Sequence, residues 1–176
     1  TIFQRKMDNC FKGTENFIAV YIDDILVFSE TENEHARHLD IMLGICKKNG
    51  LVLSPSKMKI EVPTIDFLGA TIGNRRIKLQ EHIIKKITDY PEKELINIKG
   101  LRSWLGILNY ARSYIPYLGK QLGPLYSKVS PTGERKINKQ DWVIVKQIKE
   151  KVQNLPDLEL PPPNCHIVLE TDGCMD

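Results

Sequence analysis

Long apolar runs are missing from this 176-residue chain: none reaches the ~18 residues that a membrane-spanning helix needs. The first residues lack the basic-then-apolar pattern of a secretory leader. Neither a membrane span nor export is therefore expected. Cysteine is sparse, and Cys10, Cys46, Cys165 and Cys174 form no C-x-x-C pair. That argues against a zinc knuckle and against a disulfide framework, leaving reduced thiols as the plain reading. His35, His38, His82 and His166 show no metal-like clustering, and His35 and His38 read as an exposed helix face. The chain has no internal repeat and no low-complexity tract, which excludes solenoids and flexible tails.

Charge is present but unevenly placed. Between Arg75 and Lys128 stand eleven Lys or Arg against four Asp or Glu, a net +7, so the remainder of a chain of net +3 carries −4. A basic middle beside an acidic front suits a protein that grips phosphates in one place and handles a metal in another, although a solvated helical surface would look the same.

The acidic front raises a specific question. In 18-IAVYIDDILVFS-29, Asp23 and Asp24 interrupt a β-branched, aromatic and aliphatic run that contains no Lys or Arg. Burying an ionised carboxylate there costs several kcal/mol unless a partner pairs with it. The stretch reads as a β-hairpin with the two carboxylates as its two-residue link, solvated and free to coordinate a cation.

Further along, Thr31 and Glu34 have capping-box spacing, and Leu39, Met42, Leu43 and Cys46 make an apolar stripe that stops at Asn49-Gly50. The segments 51–62 and 65–72 look like short strands, followed by a tight turn at Gly73-Asn74. From Gln80 the period becomes helical. Helices are expected over 80–90, over 98–115 with Leu101, Trp104, Leu105, Leu108, Ala111 and Ile115 on one face, over 118–128, and over about 140–155 with Trp142, Val145, Ile148 and Val152 together. Asn97 is the candidate cap of the second. Pro161-Pro162-Pro163 forms a stiff linker into 166-HIVLETDG-173.

Several of these landmarks resemble those of reverse transcriptases, in the family's order. Tyr21-Ile22-Asp23-Asp24 matches the Y-x-D-D signature, and 3-FQRKMD-8 resembles the end of the motif before it. The stretch 50-GLVLSPSK-57 resembles the next motif, 67-FLG-69 the primer grip, 104-WLGILNYARSYIPYLGKQLGPLYSK-128 the thumb, and 170-ETDG-173 the opening of an RNase H domain. The wording is most similar to plant pararetroviruses of the caulimovirus family, the badnavirus and tungrovirus group, with gypsy-class LTR retrotransposons the nearest confusion.

The resemblance implies an α+β fold: a partial polymerase palm (1–74) with an antiparallel sheet and a helix, a helical thumb (75–130), a connection segment (131–165) and the first strand of an RNase H domain (166–176). It implies catalysis at Asp23 and Asp24, which would hold two Mg²⁺ ions, with Mn²⁺ the substitute, and it makes Asp172 an RNase H metal ligand. Tyr21, Ile22 and Lys57 would lie at the nucleotide and primer, with Lys57 a charge at the triphosphate or a proton donor to pyrophosphate. For Tyr21 taken by itself, core packing is the better expectation. Phe67, Leu68 and Gly69 would form the primer-grip turn, Gly69 permitting close backbone approach. Gly106, Asn109 and Tyr110 would lie along the template–primer groove, unless Gly106 serves helix–helix packing. Arg102, Arg112, Lys85, Lys86, Lys93, Lys99 and Lys120 would add phosphate contacts, and Trp104 reads as core.

The partners implied are an RNA or DNA template–primer, deoxynucleoside triphosphates and the rest of a viral polyprotein: fingers, RNase H and a protease. The place of action implied is the host cytoplasm or the virus particle, with no membrane. Thr1 at the front and a strand-like end suggest a piece of a longer enzyme. A further catalytic Asp would lie upstream, so the isolated piece is expected to be inactive in extension and, by itself, in RNase H cleavage. Two rivals stand beside this reading: a non-catalytic nucleic-acid-binding domain, and a carboxylate-metal hydrolase that would need a third acidic group near the hairpin.

Overall fold

A computed structural model describes residues 2–134, 136–162 and 164–166. It divides into two compact units, 1–65 and 66–176.

The first unit opens with helix α1 (Ile2–Cys10). A two-stranded antiparallel hairpin follows, β1 (Ile18–Tyr21) and β2 (Asp24–Val27), in the register Ile18 to Val27 and Tyr21 to Asp24. Helix α2 (Glu32–Asn49) begins as its sequence requires: the Thr31 side chain accepts from the Glu34 N–H, and Gly50, with φ 66°, ends it in the left-handed region. Met7, Phe11, Ile18, Met42 and Cys46 form the core of this unit. Burial pushes the Cys46 thiol up from its ordinary value, with nearby Cys10 adding to it. Leu43 does not join that core. It is exposed, because the buried stripe runs through Met42 and Cys46 with Leu39 at its margin. Nor do residues 51–62 form a strand. Pro55 starts a single 3₁₀ turn, Pro55–Lys57, whose fixed φ suits a helical turn rather than a ladder.

The division between the units falls within β3 (Thr64–Phe67), which joins β4 (Ala70–Gly73), β5 (Arg76–Leu79) and β6 (Leu158–Glu159) in a sheet of that order. The expected turn at Gly73-Asn74 lies one residue later. Asn74 and Arg75 both have positive φ, as a two-residue hairpin loop of the primed type demands.

The second unit then becomes helical: α3 (Glu81–Thr88), α4 (Glu92–Leu95), α5 (Ile98–Ile107), α6 (Leu118–Val129) and α7 (Lys139–Gln153). The helix expected over 98–115 stops early. It tightens at Leu108 into a 3₁₀ turn, Leu108–Ala111, and its Asn97 cap accepts from the Lys99 N–H. The apolar face nevertheless packs as the spacing requires: Leu101, Trp104, Leu105, Leu108, Ala111 and Ile115 are all buried. Trp104 is fully buried and donates its indole N–H to the Ile87 carbonyl at 3.0 Å, so it is a core anchor. Helix α7 adds Val145, Ile148 and Val152, with Trp142 packed at the margin. Among the described residues no helix is long and apolar enough to cross a membrane.

Candidate active-site hairpin and nucleic-acid surface

The β1–β2 hairpin settles where the two carboxylates stand. Tyr21 pairs with Asp24, so the two-residue loop is Ile22-Asp23, and Asp24 is the first residue of β2. The sequence expectation placed both carboxylates in the loop. The loop lies one residue earlier than expected, and the acidic pair straddles the loop and the strand. Both residues are exposed. Tyr21 is 50% exposed, which corrects the expectation of core packing: it ends β1 at the tip of a two-stranded sheet.

Ile22 carries φ 56°, whereas Asp23 does not have positive φ. A β-branched residue in the left-handed region costs on the order of 1–3 kcal/mol, and it persists only where surrounding contacts over-determine it. One such contact comes from α1. The Gln4 side-chain Oε1 accepts from the Ile22 N–H at 2.5 Å, and its Nε2 donates to the Val20 carbonyl at 3.2 Å and to Asp8 Oδ1 at 2.7 Å. The sequence expectations do not include Gln4, because no helix is expected over 2–10. Its signal was the Gln-x-x-x-Asp spacing, which puts both side chains on one helical face.

Asp23 and Asp24 form no salt bridge among the described residues, so no internal cation neutralises them. Two exposed carboxylates are hard oxygen donors that suit Mg²⁺ or Mn²⁺. They are two ligands of a larger set: among the described residues no three His, Cys, Asp or Glu cluster to hold a metal. The fit of this chain to a divalent cation is therefore partial.

At the base of the same hairpin, Ser29 Oγ lies 2.7 Å from His38 Nδ1 and 3.2 Å from His35 Nδ1, and the His38 ring stacks on Phe17 with centroids 4.0 Å apart. The two histidines are half-buried anchors of the strand exit, not the exposed face expected. One hydroxyl hydrogen serves only one ring nitrogen, so the other ring must donate to the Ser29 oxygen. Lys57 is exposed at the end of its 3₁₀ turn.

In the second unit, the turn between β3 and β4 is Leu68-Gly69, with φ 49° and 83°, and Phe67 is the last strand residue. Gln80 N–H donates to the Gly69 carbonyl at 3.2 Å. The close approach that Gly69 permits is made by Tyr110: a Cβ at Gly69 would lie 2.8 Å from two ring carbons of Tyr110 and 3.0 Å from Ile83 Cδ1. Gly106, by contrast, faces open space, with nothing within 4 Å of where its Cβ would stand. No helix among the described residues accounts for it. Gly106, Asn109 and Tyr110 are all exposed.

The expected phosphate contacts divide into two kinds. Arg102 is committed internally, donating to the Val129 carbonyl at 2.7 Å, and Lys85 pairs with Glu81 at 2.8 Å. That pairing raises the Lys85 pKa and lowers the Glu81 pKa, the hydrogen bond between them being the larger cause in each. Lys86, Lys93, Lys99, Arg112 and Lys120 have no salt bridge among the described residues. A surface cleft of about 600 Å³, bordered by Tyr114, Pro116, Gln147 and Leu155, contains none of the expected site residues. Asp172 and the expected RNase H strand beyond residue 166 lie outside the described residues.

Residues 1–72 match the family model described as reverse transcriptase (RNA-dependent DNA polymerase). The chain is 63% identical over 174 residues, 99% of its length, to Polyprotein P3 of Commelina yellow mottle virus, of which it covers 9%. It is 38% identical over 176 residues to the enzymatic polyprotein of Cauliflower mosaic virus (strain D/H), covering 26% of it. Among solved structures it resembles the foamy viral protease-reverse transcriptase dRH in complex with double-stranded DNA, with a TM-score of 0.77 at 26% identity over 90% of this chain and 28% of that one. A foamy viral protease-reverse transcriptase in complex with an RNA/DNA hybrid gives a TM-score of 0.76 at 25% identity, covering 90% of this chain and 22% of that one. The chain thus spans about a tenth to a quarter of the length of these polyproteins. Residues 1–72, which hold the Y-x-D-D hairpin, thus match the reverse transcriptase family, and the chain is similar nearly end to end to a stretch of these viral polyproteins.

Proposed function

We propose that this chain is the palm-and-thumb part of an RNA- and DNA-templated DNA polymerase that extends a primer by phosphoryl transfer and so copies a viral genome. The observation that carries the reading is the hairpin. Two exposed carboxylates, with no salt bridge among the described residues, stand one on a strained two-residue loop and one on the strand residue after it, within the residues matched by the reverse transcriptase family model.

Asp23 and Asp24 are the ligands this chain would supply to a divalent cation, Mg²⁺ in the simplest case. When bound there, such ions would activate the primer 3′-hydroxyl and stabilise the triphosphate and departing pyrophosphate. The chain's own contribution is positional. The hairpin fixes the carboxylates on a short rigid element, and Tyr21 and Ile22 present apolar surface beside them for the primer end and incoming sugar. Lys57 is assigned to the triphosphate. The Leu68-Gly69 turn, ending the strand of Phe67, is assigned to the primer backbone.

The exposed face of Gly106, Asn109 and Tyr110 is assigned to the minor groove of the template–primer. Gly106 supports that assignment, since Gly inside a helix costs ~1 kcal/mol relative to Ala and no neighbour among the described residues explains it. In this reading 1–74 is palm, 75–130 thumb, 131–165 connection and 166–176 the start of RNase H. The remaining polyprotein would bring the fingers, a further carboxylate and the rest of RNase H, and the 176-residue chain alone would not extend primers.

The test uses the polymerase that contains this chain, wild type against Asp23→Asn, on RNA and DNA templates with Mg²⁺. Loss of synthesis with template–primer binding retained is the expected result. Equal synthesis in both would make the hairpin carboxylates structural. Salt-sensitive duplex binding with no synthesis in either protein would favour a non-catalytic binding domain.

A further inference from the structure

We infer that Gln4 and Asp8 are a positioning pair for the turn that carries Asp23. This rests on the polymerase reading and adds to it two residues of α1 that touch neither substrate nor the reacting atoms. The argument begins with donor and acceptor chemistry. An amide side chain presents one acceptor oxygen and one nitrogen with two hydrogens. The turn and its strand offer the reverse arrangement: the Ile22 N–H needs an acceptor, and the Val20 carbonyl needs a donor. Gln4 meets both, at 2.5 Å and 3.2 Å.

The same amide rotated by half a turn would meet neither. Asp8 decides which way it faces. Its carboxylate only accepts, and it lies 2.7 Å from Nε2, so the nitrogen is held on the Asp8 side and the oxygen is left for Ile22. Gln4 and Asp8 stand four residues apart on α1, which places both on the same face. The Ile22 N–H is the backbone group next to Asp23, and Ile22 carries the left-handed φ of 56° that the loop requires. The chain of contacts runs Asp8, Gln4, Ile22 and then the carboxylate.

Small displacements of a catalytic group are expensive in rate: a shift of about 1 Å costs on the order of 10²-fold. Loss of the Gln4 contacts is therefore expected to lower kcat while leaving template–primer affinity in place, because neither residue contacts nucleic acid in this scheme.

The experiment compares, in the polymerase that contains this chain, wild type, Gln4→Glu, the double variant Gln4→Glu/Asp8→Asn, and Asp23→Asn as a reference. Gln4→Glu retains an acceptor for Ile22 but loses the donor to Val20 and sets a second negative charge against Asp8. It should lower kcat about 10²-fold and speed hydrogen exchange in the peptide 18–27, with the template–primer Kd within about threefold of wild type. Adding Asp8→Asn supplies an amide donor to the introduced carboxylate. It should restore kcat to within about fivefold and slow the exchange again.

Should Gln4→Glu not fold, Gln4→Asn takes its place, since it keeps the amide but shortens the arm by one methylene; it should show the same loss. Wild-type kcat in the single variant, or a double variant no better than the single, overturns the inference. The two readings separate cleanly. Loss in Asp23→Asn with none in Gln4→Glu overturns only the positioning pair, whereas full synthesis by Asp23→Asn overturns the polymerase site itself.

Discussion

The ring of Tyr110 rests against the Cα of Gly69, so close that a Cβ there would lie 2.8 Å from two ring carbons. One residue belongs to the 3₁₀ turn that ends α5 and the other to the tight turn between β3 and β4. Two effects act on Gly69→Ala. The φ of 83° is disfavoured for an L-residue by roughly 1–2 kcal/mol. The new methyl also displaces Tyr110, which is 53% exposed and has room to swing outwards. The expected loss of stability in urea unfolding is about 1–3 kcal/mol. Adding Tyr110→Ala should recover the part of the steric cost due to the ring and leave the backbone part and the Ile83 contact, giving a coupling of at least about 0.5 kcal/mol in a double-mutant cycle. Strict additivity would mean the ring does not constrain the turn.

Ile22→Gly separates strain from placement. Relief of the left-handed φ is worth about 1–2 kcal/mol, against about 0.5–1 kcal/mol for the greater freedom of glycine in the unfolded chain. Relief wins narrowly, and the variant should be more stable by about 0.5 kcal/mol in chemical denaturation. In the intact polymerase its kcat should nevertheless fall, because the loop next to Asp23 then samples more conformations. A variant that is both less stable and equally fast would show that the wild-type loop is not strained.

Periodicity made the helical half of the fold legible. The six-residue face from Leu101 to Ile115 is buried throughout, because a stripe of large apolar groups has one way to leave water whether its backbone is α or 3₁₀. What periodicity could not supply was the end of α5 at Ile107, since a 3₁₀ turn keeps the same stripe. The hairpin was legible as a hairpin, but its register was not. Asp-Asp is a good turn dipeptide, and Ile is a poor one at positive φ, so local preference pointed to Asp23-Asp24. The ladder and the Gln4 contact shift the loop back one residue to Ile22-Asp23. The Ser29–His35–His38 cluster was invisible for a related reason. Two histidines three apart on a helix say nothing about a serine on the strand before it.

Helix α7 starts on a buried ion pair. Asn138 and Asp141 form a reciprocal capping box, and Asp141 lies 3.5 Å from the Lys128 ammonium with its own side chain almost fully enclosed. Asp141→Ala removes the return half of the capping box, the bond accepted from the Asn138 N–H, and among the described residues leaves the enclosed Lys128 with Glu134 alone, an exposed partner at 3.5 Å. The lost return bond accounts for about 1 kcal/mol and the stranded cation for more, so a total of about 3–5 kcal/mol is expected. Lys128→Met should cost distinctly less, since Asp141 retains the Asn138 N–H at 2.8 Å as a donor. Thermal unfolding of both variants checks the order. The reverse order would place the stabilisation in Lys128 rather than in the cap.

Basic side chains on the second unit should not contribute alike to nucleic-acid binding. Lys86, Lys93, Lys99 and Lys120 are exposed and have no salt bridge among the described residues. If each meets a phosphate, its replacement by Ala should reduce the slope of log Kd against log salt by roughly one and weaken binding uniformly across sequences. Arg102 differs because its guanidinium already holds the Val129 carbonyl at 2.7 Å, at the end of α6. Arg102→Ala should therefore lower the unfolding free energy by about 1 kcal/mol and leave the salt slope nearly unchanged. Duplex binding titrated at several salt concentrations, beside urea unfolding of the same proteins, distinguishes the two groups. A full unit of salt slope lost in Arg102→Ala, with stability intact, would show that nucleic acid draws the guanidinium away from Val129.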